Sequence, residues 1–429
     1  EESISCAKKI DKKIKTNSSG RLTGLIVGIK DNICYKNHKI SASSKILNNF
    51  QSLYSSTAVE RLLEEDAIII GRLNCDEFAM GSTNENSAYG LVKNPLNLKL
   101  TPGGSSGGSA AAVSANLCHI SLGSDTGGSI RQPAAFCGVL GLKPSYGMVS
   151  RHGLIAYASS FDQIGPIGKS IEDLHLVMSV ISGKDNFDST CVFSNKDYNR
   201  NIKQPNKLNI AIIENTISHK LLHTDVKRSF NQLLKKINND GHNIKRIKLP
   251  LLNYLVPAYY ILTTAEASSN LARYDGVKFG PRDIKEKTTW QNVIKKTRSK
   301  GFGKEVKRRI LLGSFVLSEG YYDNYYSKAQ RVRKLIQNKT KDILSTADLI
   351  LLPTSPTIPF KLKQKHKDPT ILYLQDVFTV QANLTGNPAI SIPIYQYKKD
   401  APIGGQLIGK KGKDKELLMI SNYILKNYV

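Results

Sequence analysis

The chain has 429 residues, of which 40% are hydrophobic and 22% charged, a globular composition that excludes wholesale disorder. No apolar run approaches the roughly 20 residues that a membrane-spanning helix needs, so no membrane association is expected. The formal charge of +26 is spread along the chain as lysine with no arginine-rich tract, which reads as a solvated surface ahead of a nucleic-acid footprint. Six scattered cysteines without a C-x-x-C pair predict reduced thiols and a cytoplasmic setting. Because the first residue is Glu1, a preceding segment is expected, and a transit peptide there would make the location organellar.

In chain order, Arg21 to Lys30 predicts an apolar strand ending on a lysine, and Thr57-Ala58-Val59-Glu60 a capping box that opens a helix to about Glu65. Ala67 to Gly71 then reads as a short buried strand, and this alternation is an α/β signature. Thr101 to Pro144 holds two glycine–serine knots, residues 103–109 and 123–129, separated by a helix-favouring stretch from Ala110 to Asn116. Tyr146 to Gly168 reads as glycine-rich turns, and Ser170 to Ser182 as a helix with acidic residues in its first turn. Leu208–Ile213, Thr224–Asn239 and Asn243–Leu249 predict a second strand–helix–strand unit, stopped at Asn239-Asp240-Gly241. Tyr254–Arg273 and Gly303–Ile336 predict long helices, with Tyr321, Tyr322, Tyr325 and Tyr326 as a packing stripe on the second. Leu349–Leu352 and Ala389–Pro393 predict strands, and Asp376–Leu384 and Lys415–Tyr428 helices. The expected architecture is one large α/β domain: residues 1–249 form a core, 250–345 a helical insertion, and 346–429 return to the core.

The chemistry concentrates on the two knots. Glycine lets backbone N–H groups converge and lets a ligand approach closely. Lys30, at the end of an apolar strand, would be desolvated enough to act as a base near neutral pH. Ser129 follows Thr126-Gly127-Gly128, whose N–H groups can cluster as an oxyanion hole, so an activated serine there implies acyl transfer. On these residues alone Ser129 is the candidate nucleophile, and the alternative is a pair of ordinary turns. Gly103-Gly104-Ser105-Ser106-Gly107 also fits the G-x-S-x-G elbow, but Asn97 to Pro102 makes a poor buried strand before it. A phosphate-binding P-loop is excluded, because no glycine–lysine–serine or glycine–lysine–threonine occurs. His219 and His223 have i, i+4 spacing but no acidic or cysteine partner nearby, and with His38, His242 and His366 they read as surface histidines. No metal site is expected.

Residues 103–109, Gly123-Ser124-Asp125-Thr126-Gly127-Gly128-Ser129-Ile130-Arg131 and Gly138-Val139-Leu140-Gly141-Leu142-Lys143-Pro144 resemble the amidase signature family. Lys30, in Gly28-Ile29-Lys30-Asp31, completes the order Lys, Ser, Ser of that family. Residues 74–82, 159–166, 266–271 and 308–313 are similar to one of its branches, the A subunits of bacterial-type glutamyl-tRNA(Gln) amidotransferases. Met148 and His152 depart from it, standing where Arg and Tyr are expected.

The resemblance implies an amidase-signature α/β fold with a large mixed sheet flanked by helices. It implies a Ser–cisSer–Lys triad that hydrolyses glutamine through an acyl-enzyme: Ser129 as nucleophile, Ser105 after a cis peptide at Gly104–Ser105 as proton relay, and Lys30 as base. The oxyanion would be held by backbone N–H groups of Thr126, Gly127, Gly128 and Ser129. For the substrate it implies Arg309 on the α-carboxylate, a task suited to arginine's bidentate fork, and Asp376 on the α-ammonium, with Tyr260 beside them. It further implies a heterotrimer with B and C subunits. There the ammonia converts Glu-tRNA(Gln) to Gln-tRNA(Gln). The B subunit would use ATP and Mg²⁺, and this chain would hold no cofactor. A stand-alone amidase, or a basic nucleic-acid-binding protein without catalysis, are the alternative readings.

Overall fold

The computed structural model describes residues 1–194, 207–282, 289–364, 370–396 and 401–429. The first half contributes helices α1 (Glu2–Lys15), α2 (Thr57–Glu64), α3 (Gly107–Ser114), α4 (Arg131–Phe136) and α5 (Ile171–Ile181). Its strands are β1 (Ile26–Lys30), β2 (Ile68–Leu73), β3 (Ile120–Asp125), β4 (Leu140–Lys143) and β5 (Gln163–Gly168). The second half adds β6 (Asn209–Ile213), α6 (Thr224–Asn239), β7 (Asn243–Ile247), α7 (Leu252–Asn270), α8 (Trp290–Gly301), α9 (Lys304–Val316), α10 (Lys328–Thr346) and β8 (Leu349–Pro353). It ends with α11 (Val380–Thr385), β9 (Ala389–Gln396), β10 (Pro402–Ile408) and α12 (Asp414–Tyr428).

The ten strands among the described residues join one mixed sheet in the order β2-β1-β3-β5-β4-β9-β10-β8-β6-β7. Its two flanks are parallel, β2-β1-β3 and β8-β6-β7, and the centre is antiparallel. Both faces are covered, and the strands show it by alternation. Ile210, Ile212, Leu349 and Leu351 belong to one core, with Val226, Phe230 and Leu233 of α6 and Leu417 and Leu418 of α12. Ala211, Ile213, Ile350 and Leu352 point the other way, into a second core with Leu255, Tyr259 and Leu262 of α7, Ile343 of α10 and Ala382 of α11. The long helices between 252 and 346 thus face the sheet side opposite α2, α5, α6 and α12.

Several elements differ from the sequence reading for physical reasons. Helix α1 forms ahead of the first expected element, its one fully buried residue being Ile10. Strands β3 and β5 form where glycines predicted turns, and β4 forms where no element was predicted. Glycines of these strands sit under close neighbours: a Cβ at Gly141 would lie 2.6 Å from the Ala134 Cβ, and one at Gly165 2.1 Å from the Leu142 carbonyl oxygen. They let backbone and helix approach the sheet, a packing role that outweighs glycine's weak strand preference. The expected helix over 303–336 is two, broken between Val316 and Lys328 by a turn and a π-helical turn at Tyr322–Ser327. Tyr321, Tyr322 and Tyr325 consequently stand 40–45% exposed, with Tyr321 and Tyr325 in tilted ring contact with Phe315 and Tyr322 with Tyr326. Helix α2 is capped by Ser56, which accepts the Val59 N–H, one residue earlier than the capping box predicts.

His242 is buried, not a surface residue: its Nδ1 accepts the Leu208 N–H at 3.1 Å, and its Nε2 lies 2.8 Å from the Tyr428 hydroxyl. His223 caps α6 by accepting the Asp225 N–H, and His219 packs edge-on against Phe378. His366 lies outside the described residues. All six cysteines are free thiols. Among the described residues no helix is long and apolar enough to cross a membrane.

Candidate active site

Lys30 ends β1 in the parallel flank of the sheet, with neighbouring strands on either side, and is 0% exposed. Its Nζ donates to three hydroxyls, Ser105 at 2.8 Å, Ser106 at 2.9 Å and Ser124 at 2.9 Å. Burial brings its pKa down from the ordinary 10.5 to about 8, against the opposing fields of Cys75, Asp76, Asp125 and Asp162. The amine is therefore held where a neutral base is accessible near physiological pH.

Ser105 follows a cis peptide bond at Gly104–Ser105. Gly104 has no room for a side chain, since a Cβ would lie 2.1 Å from Asp76 Oδ2. Its N–H donates to Gln132 Oε1 at 2.9 Å, and the Ser105 carbonyl accepts from the Asp76 N–H at 3.2 Å. Ser106, at the cap position of α3, donates its backbone N–H to the Ser129 carbonyl at 3.1 Å, which ties the two knots together. No strand precedes Ser105, so the nucleophile-elbow geometry is absent there.

The second knot is the turn from β3 into α4. Asp125, fully buried at its start, forms a two-pronged pair with fully buried Arg131, Nη2 to Oδ1 at 2.9 Å and Nε to Oδ2 at 3.0 Å. Asp125 also accepts the N–H groups of Gly128 at 2.9 Å and Ile130 at 3.1 Å and the Asn383 amide at 2.8 Å. The Arg131 guanidinium holds the carboxyl down at about 2 despite burial. The Gly128 N–H is thus already committed to a carboxylate, unlike its expected part in the oxyanion cluster. Gly127 packs under Tyr259, whose hydroxyl would lie 2.5 Å from a Cβ there, and its carbonyl accepts from the Thr379 hydroxyl at 2.5 Å. Gly128 has φ of +135°, a conformation that glycine adopts without penalty. Ser129 is 9% exposed.

Arg309, Asp376 and Tyr260 come together beside this turn. The Tyr260 hydroxyl donates to Asp376 Oδ2 at 3.1 Å, and Ser82 donates to both carboxylate oxygens at 3.2 and 3.3 Å. Burial pushes Asp376 up to about 7, against the pull of Arg309. The Arg309 guanidinium lies within 5.1 to 5.8 Å of the ring centres of Tyr260, Tyr157 and Tyr373. Its Nε donates to Glu305 at 2.9 Å and its Nη1 to the Tyr157 hydroxyl at 2.9 Å. With Nε and Nη1 engaged, Arg309 would present a ligand with its remaining edge rather than an open fork. Outside the cage lies a mainly apolar cavity of about 440 Å³, lined by Leu252, Val256, Leu312 and Tyr373 and reaching Tyr260 and Arg309.

Sequence reasoning missed Ser106 and Ser124 as partners of Lys30, the Asp125–Arg131 pair, Tyr157, Glu305 and Ser82. Ser106, Ser124 and Asp125 lie within the two knots and Arg131 two residues beyond the second, so their position in the chain was a usable signal. Glu305 sits at i, i+4 from Arg309 on the same helix, a usable signal, whereas Tyr157 and Ser82 come from separate segments with no local pattern.

The chain matches the family described as Amidase over residues 1–418. It is 46% identical to the A subunit of glutamyl-tRNA(Gln) amidotransferase from Nostoc sp., over 98% of this chain and 87% of that one. It is 49% identical to the protein of the same name from Lachnospira eligens, over 97% and 87%. The crystal structure of the corresponding glutamyl-tRNA(Gln) amidotransferase protein from Thermotoga maritima, again its A subunit, superposes with a TM-score of 0.79 at 41% identity, covering 95% of this chain and 84% of that one. The chain belongs to the amidase family, in the branch formed by these amidotransferase A subunits.

Proposed function

We propose that this chain is the glutaminase subunit of a tRNA-dependent amidotransferase, with Ser129 as nucleophile. The observation that carries the reading is a fully buried lysine hydrogen-bonded to the serine of a cis peptide, in a chain whose relatives are amidotransferase A subunits. In the reaction Ser129 Oγ attacks the side-chain amide carbon of glutamine while its proton passes through the Ser105 hydroxyl to neutral Lys30 Nζ. The developing oxyanion is held by backbone N–H groups of the 126–129 turn, chiefly those not spent on Asp125. The protonated lysine returns the proton through Ser105 to the departing nitrogen, so ammonia leaves and a glutamyl ester remains on Ser129. Water, deprotonated along the same relay, then releases glutamate and restores the serine.

Arg309 and Asp376 select the amino-acid end of the substrate, the first for the α-carboxylate and the second for the α-ammonium, with the Tyr260 hydroxyl orienting Asp376. The ammonia serves a B subunit that uses ATP and Mg²⁺ to convert Glu-tRNA(Gln) to Gln-tRNA(Gln), with a C subunit joining the two. No step on this chain runs through the nucleotide or the metal. The test is glutamine turnover by the chain with and without B and C subunits and Glu-tRNA(Gln), beside turnover of simple apolar amides. The reading predicts a marked preference for glutamine, lost in Arg309→Ala. Equal turnover of apolar amides, indifferent to Arg309→Ala, would make the chain a stand-alone amidase instead.

A further inference from the structure

Asp162 stands in neither the triad nor the substrate cage, yet its buried carboxylate touches the supports of both. The residue is 3% exposed and directly precedes β5. One carboxylate oxygen, Oδ1, accepts the Thr126 hydroxyl at 2.6 Å, on the turn that carries the expected oxyanion donors and Ser129. The other, Oδ2, accepts the backbone N–H groups of Tyr157 and Ala158, each at 3.0 Å, and closes the loop from 157 to 162. That loop seats Tyr157, which is 1% exposed. The Tyr157 hydroxyl donates to Thr263 Oγ1 at 2.9 Å and accepts from Arg309 Nη1 at 2.9 Å, and its ring centre lies 5.4 Å from the guanidinium.

Closing the loop would need only the one oxygen that accepts the two N–H groups. The second oxygen is spent on a hydroxyl from a different element, and a buried carboxylate is a costly way to bind either partner alone. We infer that Asp162 is a positioning residue that sets the oxyanion turn and the carboxylate-binding arginine in one frame, so that the two ends of glutamine are read at a fixed separation. This rests on the glutaminase reading above.

The experiment uses the full chain assembled with its partner subunits. Thr126→Val is expected to lower kcat about tenfold with KM little changed, and Tyr157→Phe to raise the glutamine KM about tenfold with kcat little changed. Asp162→Ala is expected to do both. Asp162→Asn is expected to recover most of each effect, because its oxygen can accept the two N–H groups while its NH₂ donates to Thr126 Oγ1. A residue that merely stabilises the fold would reduce the active fraction and leave KM alone, so a fall in kcat without a rise in KM in Asp162→Ala overturns the inference.

If Asp162→Ala does not fold, Thr126→Val and Tyr157→Phe combined decide the matter. A double variant at least about fivefold away from the product of the single effects on kcat/KM supports the shared frame, and strict multiplicativity overturns it. Glutamine binding by calorimetry in Ser129→Ala, with and without Asp162→Asn and Tyr157→Phe, reads the frame without the chemistry. Failure of the glutaminase reading would show separately, as glutamine turnover surviving Ser129→Ala.

Discussion

Burial fits Lys30 for the base role proposed for it. An exposed ammonium would stay protonated far above neutral pH, whereas this one is fully enclosed and its surrounding hydroxyls cannot replace lost solvation. If the neutral amine is the working form, as proposed, glutaminase kcat should rise as pH passes upward through about 8, and Lys30→Met should abolish the activity. Under the proposed function Asp376 would act on binding at lower pH. It would have to be ionised to pair with the substrate ammonium, so the glutamine KM should climb as pH falls below about 7 while Asp376→Asn flattens that dependence. A pH–rate series on the unsubstituted chain and on Asp376→Asn checks the two signs. At this scale the site was partly legible. The burial of Lys30 was readable because an apolar strand ending in lysine is a local pattern, and so was the tight turn before Ser129, from its glycines. The single accessible edge of Arg309 was not, because it depends on Tyr157 from a distant loop as well as on Glu305 one turn away on its own helix. Nor was the diversion of the Gly128 N–H to Asp125, which depends on how the turn folds back over its own first residue.

Elements position these residues through buried polar ties. The turn between β3 and α4 is anchored by the Asp125–Arg131 pair, with Arg131 also donating to the Thr379 carbonyl at 2.9 Å and to Asn383 at 2.6 Å. Replacing Arg131 by Met leaves Asp125 buried without its partner, at a cost of about 3–5 kcal/mol. The expected outcome is a large drop in the urea midpoint and loss of glutaminase activity, measured by circular dichroism and by turnover. The folded-state pKa of Asp125, about 2, lies below its ordinary 3.8, so the stabilisation from this pair is complete above about pH 4 and is lost as pH falls through about 2. Helices with acidic first turns or strong apolar spacing, such as α5 and α6, were visible in the sequence. Strands β3 and β5 were not, because their glycines signal turns locally and close packing only in three dimensions.

On the scale of the whole molecule, a single sheet brings together residues from both ends of the chain, and its end is secured by the last helix. Tyr428 packs its ring into the core and hydrogen-bonds His242 and Asp240. Tyr428→Ala should cost about 3 kcal/mol, seen as a lowered thermal midpoint with glutamine KM unchanged at 25 °C, since the clasp is remote from Arg309 and Asp376 in the fold. The α/β class and the covering helices followed from alternating apolar segments, while the order of ten strands did not, since pairing between distant segments leaves no local trace. The +26 charge enters none of the proposed chemistry. At the centre of that chemistry is the proposal that Ser129 acts only in releasing ammonia from glutamine. The direct measurement is amidation of Glu-tRNA(Gln) by the complex containing Ser129→Ala, with glutamine or with ammonium as nitrogen source. The glutaminase reading predicts amidation lost with glutamine and retained with ammonium. Amidation that persists with glutamine would contradict it.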